Sequence, residues 1–223
     1  MRTPKSGGTP RKRNVIEQIF TEEELDAQFE EFLAELQATQ REGIENLIAW
    51  LRRGDLRIAP SSTKYHLSCP GGLVRHSLNV LARLRQLVKI AGFEGKYDDN
   101  TLRIAALCHD LCKVNYYEIY TKNVKNEELN KWVKEEFYRI REDDNRLIYG
   151  LHAENSIFNA TRFINLTYVE QVAIRWHMGC LDWQDNNAMV STMGAAFNVC
   201  PLAFLLHTAD QMAAYLDEGN KRK

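Results

Sequence analysis

The sequence has no Cys-x-x-Cys pair, no long unbroken apolar run and almost no net charge. Each absence excludes a class of function. Five cysteines in 223 residues, an odd number without paired spacing, argue against a disulfide framework and for a reducing compartment. With 29 basic and 30 acidic side chains the formal net charge is −1, which excludes the strongly basic profile of a dedicated nucleic-acid-binding domain. The most apolar stretch, Met193 to Leu216, is interrupted by Asn198, Pro201, His207 and Asp210, so no segment reads as a membrane span. The basic start, MRTPKSGGTPRKRN, is followed by no apolar h-region and does not read as a secretory signal. There is no internal repeat. The expectation is a cytoplasmic protein with no membrane partner.

What is present is an ordinary globular composition, 44% hydrophobic and 26% charged, long enough to bury a sizeable core. Residues 1–13 carry Arg2, Lys5, Arg11, Lys12 and Arg13 among Gly, Ser and Pro, and read as a disordered basic tail. Residues 14–55 read as a helical extension. Thr21 and Glu24 have capping-box spacing, and Leu25, Phe29, Phe32, Leu33 and Leu36 form one apolar face. Ile44, Leu47, Ile48 and Leu51 continue that face, predicting one amphipathic helix over 21–53 that packs on its own domain or serves a homodimer. A Pro/Ser/Gly-rich loop over 56–72 precedes a helix running to Gly92, and another helix is predicted over about 98–114. The aromatic and β-branched content of 115–142 suggests a two-stranded hairpin. Further helices are expected over about 145–164, 167–179 and 199–217, with 218–223 as a tail. The fold class is all-α: a compact helical bundle with a small β-hairpin insertion.

The strongest local signal is His109-Asp110, set in the apolar run Leu107 to Lys113. On a helix the two side chains would project about 100° apart on one turn. Alone the pair is weak, because a salt bridge explains an aspartate in such a place. His76, His152, His177 and Asp210 raise its weight. Each sits on an otherwise core-forming helix, where an unpaired polar group is costly to bury. One such histidine is more often a hydrogen-bonded core residue than a ligand. Convergence on metal explains the set jointly.

The order His76, His109-Asp110, Asp210 resembles the H…HD…D signature of the HD-domain metal-dependent phosphohydrolases. His152 and His177 are similar to the two additional ligands of two-metal members. Ala59-Pro60, Lys64-Tyr65-His66 and Gly71-Gly72-Leu73 resemble the approach segment of the bacterial HD-type 3′–5′ exoribonucleases. His109-Asp110-Leu111-Cys112-Lys113 resembles the family's HDxxK, and Leu206-His207-Thr208-Ala209-Asp210 its closing HxAD. The resemblance spans roughly residues 56–217 and implies a compact all-helical HD domain. Two departures stand out. The exoribonucleases carry an OB-type domain where 14–55 here reads as helix, and the 115–142 hairpin is an insertion that could overhang the site.

The resemblance implies that His76, His109, Asp110 and Asp210 hold one divalent metal. It implies a second held by Asp110 as a bridge with His152 and His177. Imidazole and carboxylate ligands suit manganese, iron, cobalt, nickel or zinc, and magnesium also falls within their range. Asp110 and Lys113 are the catalytic candidates. Lys113 is assigned to phosphate or leaving-group charge, with pairing to Asp110 as the alternative. Lys64, His66 and Lys113 are candidate substrate contacts. His207 either orients Asp210 or is a core histidine. Cys108 and Cys112 read as small buried hydrophobes rather than ligands. Arg75, Arg146 and Arg175 neighbour motif positions and are equally explained by salt bridges, while Trp176 and Trp183 suit packing better than base stacking.

Three functions follow from these residues. The first is a phosphohydrolase acting on a nucleotide or other small phosphorylated substrate, as phosphomonoesterase or phosphodiesterase. The second is an exonuclease on RNA or single-stranded DNA. The third is a non-catalytic nucleotide-binding or interaction module.

Overall fold

A computed structural model describes residues 15–126, 130–142, 151–180 and 187–219. The basic tail, Arg146 and Trp183 lie outside the described residues. Eight helices and one hairpin are present among those described, in the order α1 (Glu22–Gln37), α2 (Ile44–Arg53), α3 (Gly72–Ile90), α4 (Asp99–Cys108), β1 (Tyr117–Asn126), β2 (Lys131–Ile140), α5 (His152–Thr161), α6 (Tyr168–Trp176), α7 (Asn187–Val199) and α8 (Pro201–Met212). The layout agrees with an all-helical bundle carrying a small hairpin. β1 and β2 pair antiparallel from Tyr117↔Ile140 to Asn126↔Lys131.

The N-terminal block is two helices, not the single helix over 21–53 that the apolar periodicity predicts. Thr21 closes its capping box with Glu24 as expected. The chain then turns: Gln40 and Gly43 adopt positive φ, and the Thr39 hydroxyl donates to the Leu36 carbonyl. At Gly43 an added Cβ would lie 1.9 Å from the Phe163 carbonyl oxygen, so only glycine lets the two segments approach this closely. Arg41 secures the contact by a bidentate pair to the fully buried Glu170 carboxylate at 2.5 and 2.7 Å. The break is therefore imposed by a distant segment, which local periodicity does not report.

The apolar face expected for this block is buried within the chain. Phe32, Leu36, Leu47 and Leu51 are fully buried in the common core, and α1 packs on α3 and α4. Each such side chain contributes roughly 2 kcal/mol of transfer free energy. The apolar face of this block is thus used within the chain's own core.

Three further expectations are corrected. The helix predicted to run to Val114 stops at Cys108, followed by a 3-10 turn over Leu111–Lys113. The helix expected from 145 begins at His152, with 143–150 outside the described residues. α7 was not anticipated: AMVSTMGAAFNV has no charged residue and gives little polar–apolar contrast at helical spacing. No single helix among the described residues is long and apolar enough to cross a membrane, and the α7–α8 pair is bent by 111° at its break.

Candidate metal centre

Five helices deliver the polar cluster, and helix ends do most of the positioning. His109 is the C-cap of α4 and His177 the C-cap of α6. The last carbonyls of a helix lack intrahelical partners. His109 Nδ1 donates to the Ala106 carbonyl at 2.6 Å, and His177 Nδ1 donates to the Ile174 carbonyl at 2.7 Å. In each ring the proton is thereby fixed on Nδ1, leaving the Nε2 lone pair aimed inward. Asp110 follows at φ −112°, ψ 16°, outside helical geometry, so the pair does not lie on one helical turn as the sequence reading had it. The 3-10 turn then brings the Lys113 ammonium to 2.7 Å from Asp110 Oδ2.

His76, in the second turn of α3, reaches the same point. Its Nε2 is 3.3 Å from His109 Nε2 and 3.1 Å from Asp210 Oδ1. Its Nδ1 is held at 3.0 Å by Glu218, whose other oxygen accepts from Asn79 at 2.9 Å. Glu218 was assigned to the tail and was missed. The last turn of α8 widens into a π-turn over Ala213–Asp217, with the Glu218 N–H donating to the Ala213 carbonyl, and this returns the carboxylate to His76. Arg83 pairs with Asp217 beside it. No sequence motif announces this contact. A buried glutamate just past a ligand helix is found only in three dimensions.

His152 opens α5, and its Nε2 lies 2.6 Å from Asp110 Oδ1. The Asp110 carboxylate therefore divides its oxygens. Oδ1 faces His152 and, at 3.7 Å, His177, while Oδ2 faces His109 at 3.4 Å and His76 at 3.7 Å. Two triads result, His76–His109–Asp110 and Asp110–His152–His177, each with ligand atoms within 4.8 Å of one another.

Charge in the cluster is tightly balanced. Burial opposes ionisation of Asp110, but the Lys113 ammonium and the His109 imidazole outweigh it and hold the carboxyl well below its ordinary range. Burial would likewise push His76 down, yet Asp210 and Glu218 hold it up at about 10. A bound metal has to displace that proton. His177 is lowered, chiefly by burial.

The donor set fits a divalent metal. His177 Nε2 is fully buried with no hydrogen-bond partner, since Asp110 Oδ1 at 3.7 Å is too distant. A neutral imidazole lone pair aimed into an anionic cluster is costly to bury unless a Lewis acid meets it. Imidazole nitrogen and carboxylate oxygen are the donors of borderline to hard divalent ions.

The remaining candidates separate. His66 stands over His76, ring centroids 4.8 Å apart, its Nε2 2.8 Å from the buried Ser61 hydroxyl. Burial, then the nearby His76 and Lys113, pushes it down to about 4. Lys64 is exposed on the same loop, outside the cluster. His207 does not touch Asp210; its Nδ1 donates to the His177 carbonyl at 2.5 Å and so braces that segment. Arg75 pairs with Gln28, Arg175 with Glu154, and Trp176 is buried. Cys108 is fully buried in the core, its thiol pushed up to about 12 by burial.

Comparison with known families bears on this arrangement directly. Residues 73–179 match the HD domain. The match supports the HD-domain superfamily and takes in His76, His109, Asp110, His152 and His177, whereas Asp210 and Glu218 lie beyond it. No curated protein and no solved structure matches the chain. An HD domain with a buried His/Asp cluster of this kind fits a metal-dependent hydrolase.

Proposed function

We propose that the protein is a metal-dependent phosphohydrolase acting on a phosphoester of a nucleotide or another small phosphorylated substrate in the cytoplasm. The observation that carries this reading is the divided Asp110 carboxylate, one oxygen toward each histidine pair, with the orphaned His177 Nε2 beside it. His76, His109, Asp110 and Asp210 would hold one divalent ion. Asp110, His152 and His177 would hold a second. Divalent metals bound there supply Lewis acidity, lowering the pKa of water and offsetting phosphoryl charge.

The protein's own groups do the rest. Lys113 holds Asp110 ionised and stands ready to exchange that contact for a phosphate oxygen. His66 is seated against His76, ring centroids 4.8 Å apart, and within electrostatic reach of Lys113. Lys64 on the same exposed loop offers a cation to phosphate. Turnover of a phosphoester panel by wild type and Asp110→Ala, with metal content measured on both, tests the reading. No bound metal and equal residual activity in the two proteins would sink it.

A nuclease reading is favoured by one surface. Trp132 is 71% exposed on β2, with Lys125 directly across the hairpin and Lys134 two residues along the same face. An exposed ring between cations suits stacking of a single-stranded base. A 3′-labelled oligonucleotide left intact with manganese while mononucleotides are cleaved decides against it.

A further inference from the structure

We propose that Cys180, Met193 and His207 form a binding site for a soft monovalent metal ion, copper(I). The site stands apart from the His/Asp cluster and does not depend on the phosphohydrolase reading.

Three elements meet there: the segment leaving α6, helix α7 and helix α8. Cys180 comes three residues after the C-cap of α6, Met193 lies on α7 and His207 on α8. The Cys180 thiol donates to Met193 Sδ, with the two sulfurs 3.5 Å apart. Two sulfurs each bound at about 2.3 Å to one ion lie roughly 3.5–4 Å apart, so this pair already has the separation of two ligands on a shared metal. His207 is prepared in the same way as His109 and His177. Its Nδ1 donates to a backbone carbonyl, that of His177, at 2.5 Å, which leaves the lone pair on Nε2. Gly179 keeps the space between His207 and Met193 open. It adopts φ +61°, and an added Cβ would stand 3.2 Å from His207 Cε1, the ring carbon next to Nε2, and 3.5 Å from Met193 Sδ. Cys180, Met193 and His207 are all partly exposed, which gives an ion access from solvent.

The donors select the ion. Thiolate and thioether are soft ligands that favour copper(I), whereas the imidazole and carboxylate set of the His/Asp cluster suits harder divalent ions. Charge points the same way. One thiolate with a neutral methionine and a neutral histidine carries a single negative charge, which a monovalent ion cancels and a divalent ion exceeds. The Phe197 ring, 5.9 Å from the His207 ring, makes the adjoining wall apolar, where a neutral complex costs least to bury. Binding exchanges a proton for the metal. The Cys180 S–H bond breaks, the proton leaves to solvent, and both sulfurs and Nε2 donate lone pairs to copper with no change of oxidation state.

The test is copper(I) binding by the full-length protein, under anaerobic conditions and in competition with bathocuproine disulfonate. Wild type holds one ion per chain, and X-ray absorption shows two sulfur scatterers and one imidazole nitrogen. Met193→Leu, which keeps the side-chain size, and Cys180→Ser each weaken binding by about 100-fold, the upper end of what loss of a mere outer partner causes. His207→Gln keeps a donor for the His177 carbonyl but removes the ring nitrogen; it weakens binding and abolishes the imidazole signal. Cys112→Ser alters the other partly exposed thiol and binds as wild type does. Equal metal-free melting temperatures across the set separate lost ligands from misfolding. Failure of wild type to hold copper(I) against the chelator would overturn the proposal. So would unchanged affinity in Met193→Leu, or loss of binding in Cys112→Ser.

Discussion

At the scale of single residues, helix-end carbonyls hold the Nδ1 protons of His109 and His177, and Glu218 holds His76 Nδ1. Asp110 is the shared acceptor, so on the proposed two-metal reading Asp110→Asn, similar in size but uncharged, should lose both ions. The expected result is less than one ion per chain by elemental analysis and a fall in phosphoester turnover of at least 100-fold. Glu218→Gln is subtler. The amide still offers a carbonyl to His76 Nδ1, while the charge that helps hold His76 is gone. Metal affinity at the His76 position should fall by about tenfold, with the circular dichroism spectrum of the metal-free protein unchanged. Sequence made the six ligand candidates legible because histidine and aspartate are conspicuous on apolar helices. It hid Glu218 because a glutamate following an exposed Tyr-Leu-Asp segment looks like a solvated helix end. It also hid the role of His207, whose bond is to a backbone carbonyl.

At the scale of elements, the N-terminal helix pair is tied to the bundle by charge as well as by apolar contact. Glu35 on α1 accepts from Arg85 on α3 and Arg103 on α4, and Asp99 joins the network. Hydrogen bonding from Arg85, partly opposed by burial, holds Glu35 below its ordinary pKa. A carboxylate with a lowered folded-state pKa stabilises above the unfolded value near 4.5, and that stability is lost as pH falls through the folded value. Glu35→Gln should therefore cost about 1 kcal/mol at pH 7, the partly exposed pair being screened by solvent. The gap between the two proteins in urea melts should shrink steadily below about pH 4.5. The turn between α1 and α2 answers to sterics. Gly43→Ala places a methyl against the Phe163 carbonyl at positive φ, and a loss of about 2–4 kcal/mol in chemical denaturation is expected. Periodicity predicted the buried face of this block correctly. It missed the break because the cause lies 120 residues away.

At the scale of the molecule, α3, α4, α5, α6 and α8 each deliver one or two side chains to the same few ångströms. In the metal-free protein these charges are balanced among themselves and by Lys113 and Glu218. A divalent ion that binds the folded chain alone should stabilise all five helices together. At 100 times its dissociation constant the gain is about 2.7 kcal/mol. For a chain of this size the melting temperature should rise by roughly 5–10 °C on adding manganese, and a chelator should reverse it. A constant melting temperature despite measured binding would show that the unfolded chain binds the metal as tightly as the folded one.

The sequence by itself determined the helical class, the hairpin after the His-Asp pair and the histidines and aspartates of the cluster as candidates, but not Glu218. These follow from short-range chemistry: side-chain periodicity, capping residues, and the cost of burying imidazole and carboxylate among apolar neighbours. The tertiary structure alone decided how those residues face one another. It ended α4 at His109 so that a freed carbonyl could set the tautomer, and it turned Asp110 to offer one oxygen to each histidine pair. It also drew Glu218 back through a widened turn to His76 Nδ1. Each of these depends on backbone groups and on segments distant in the chain, and side-chain patterning carries no record of either.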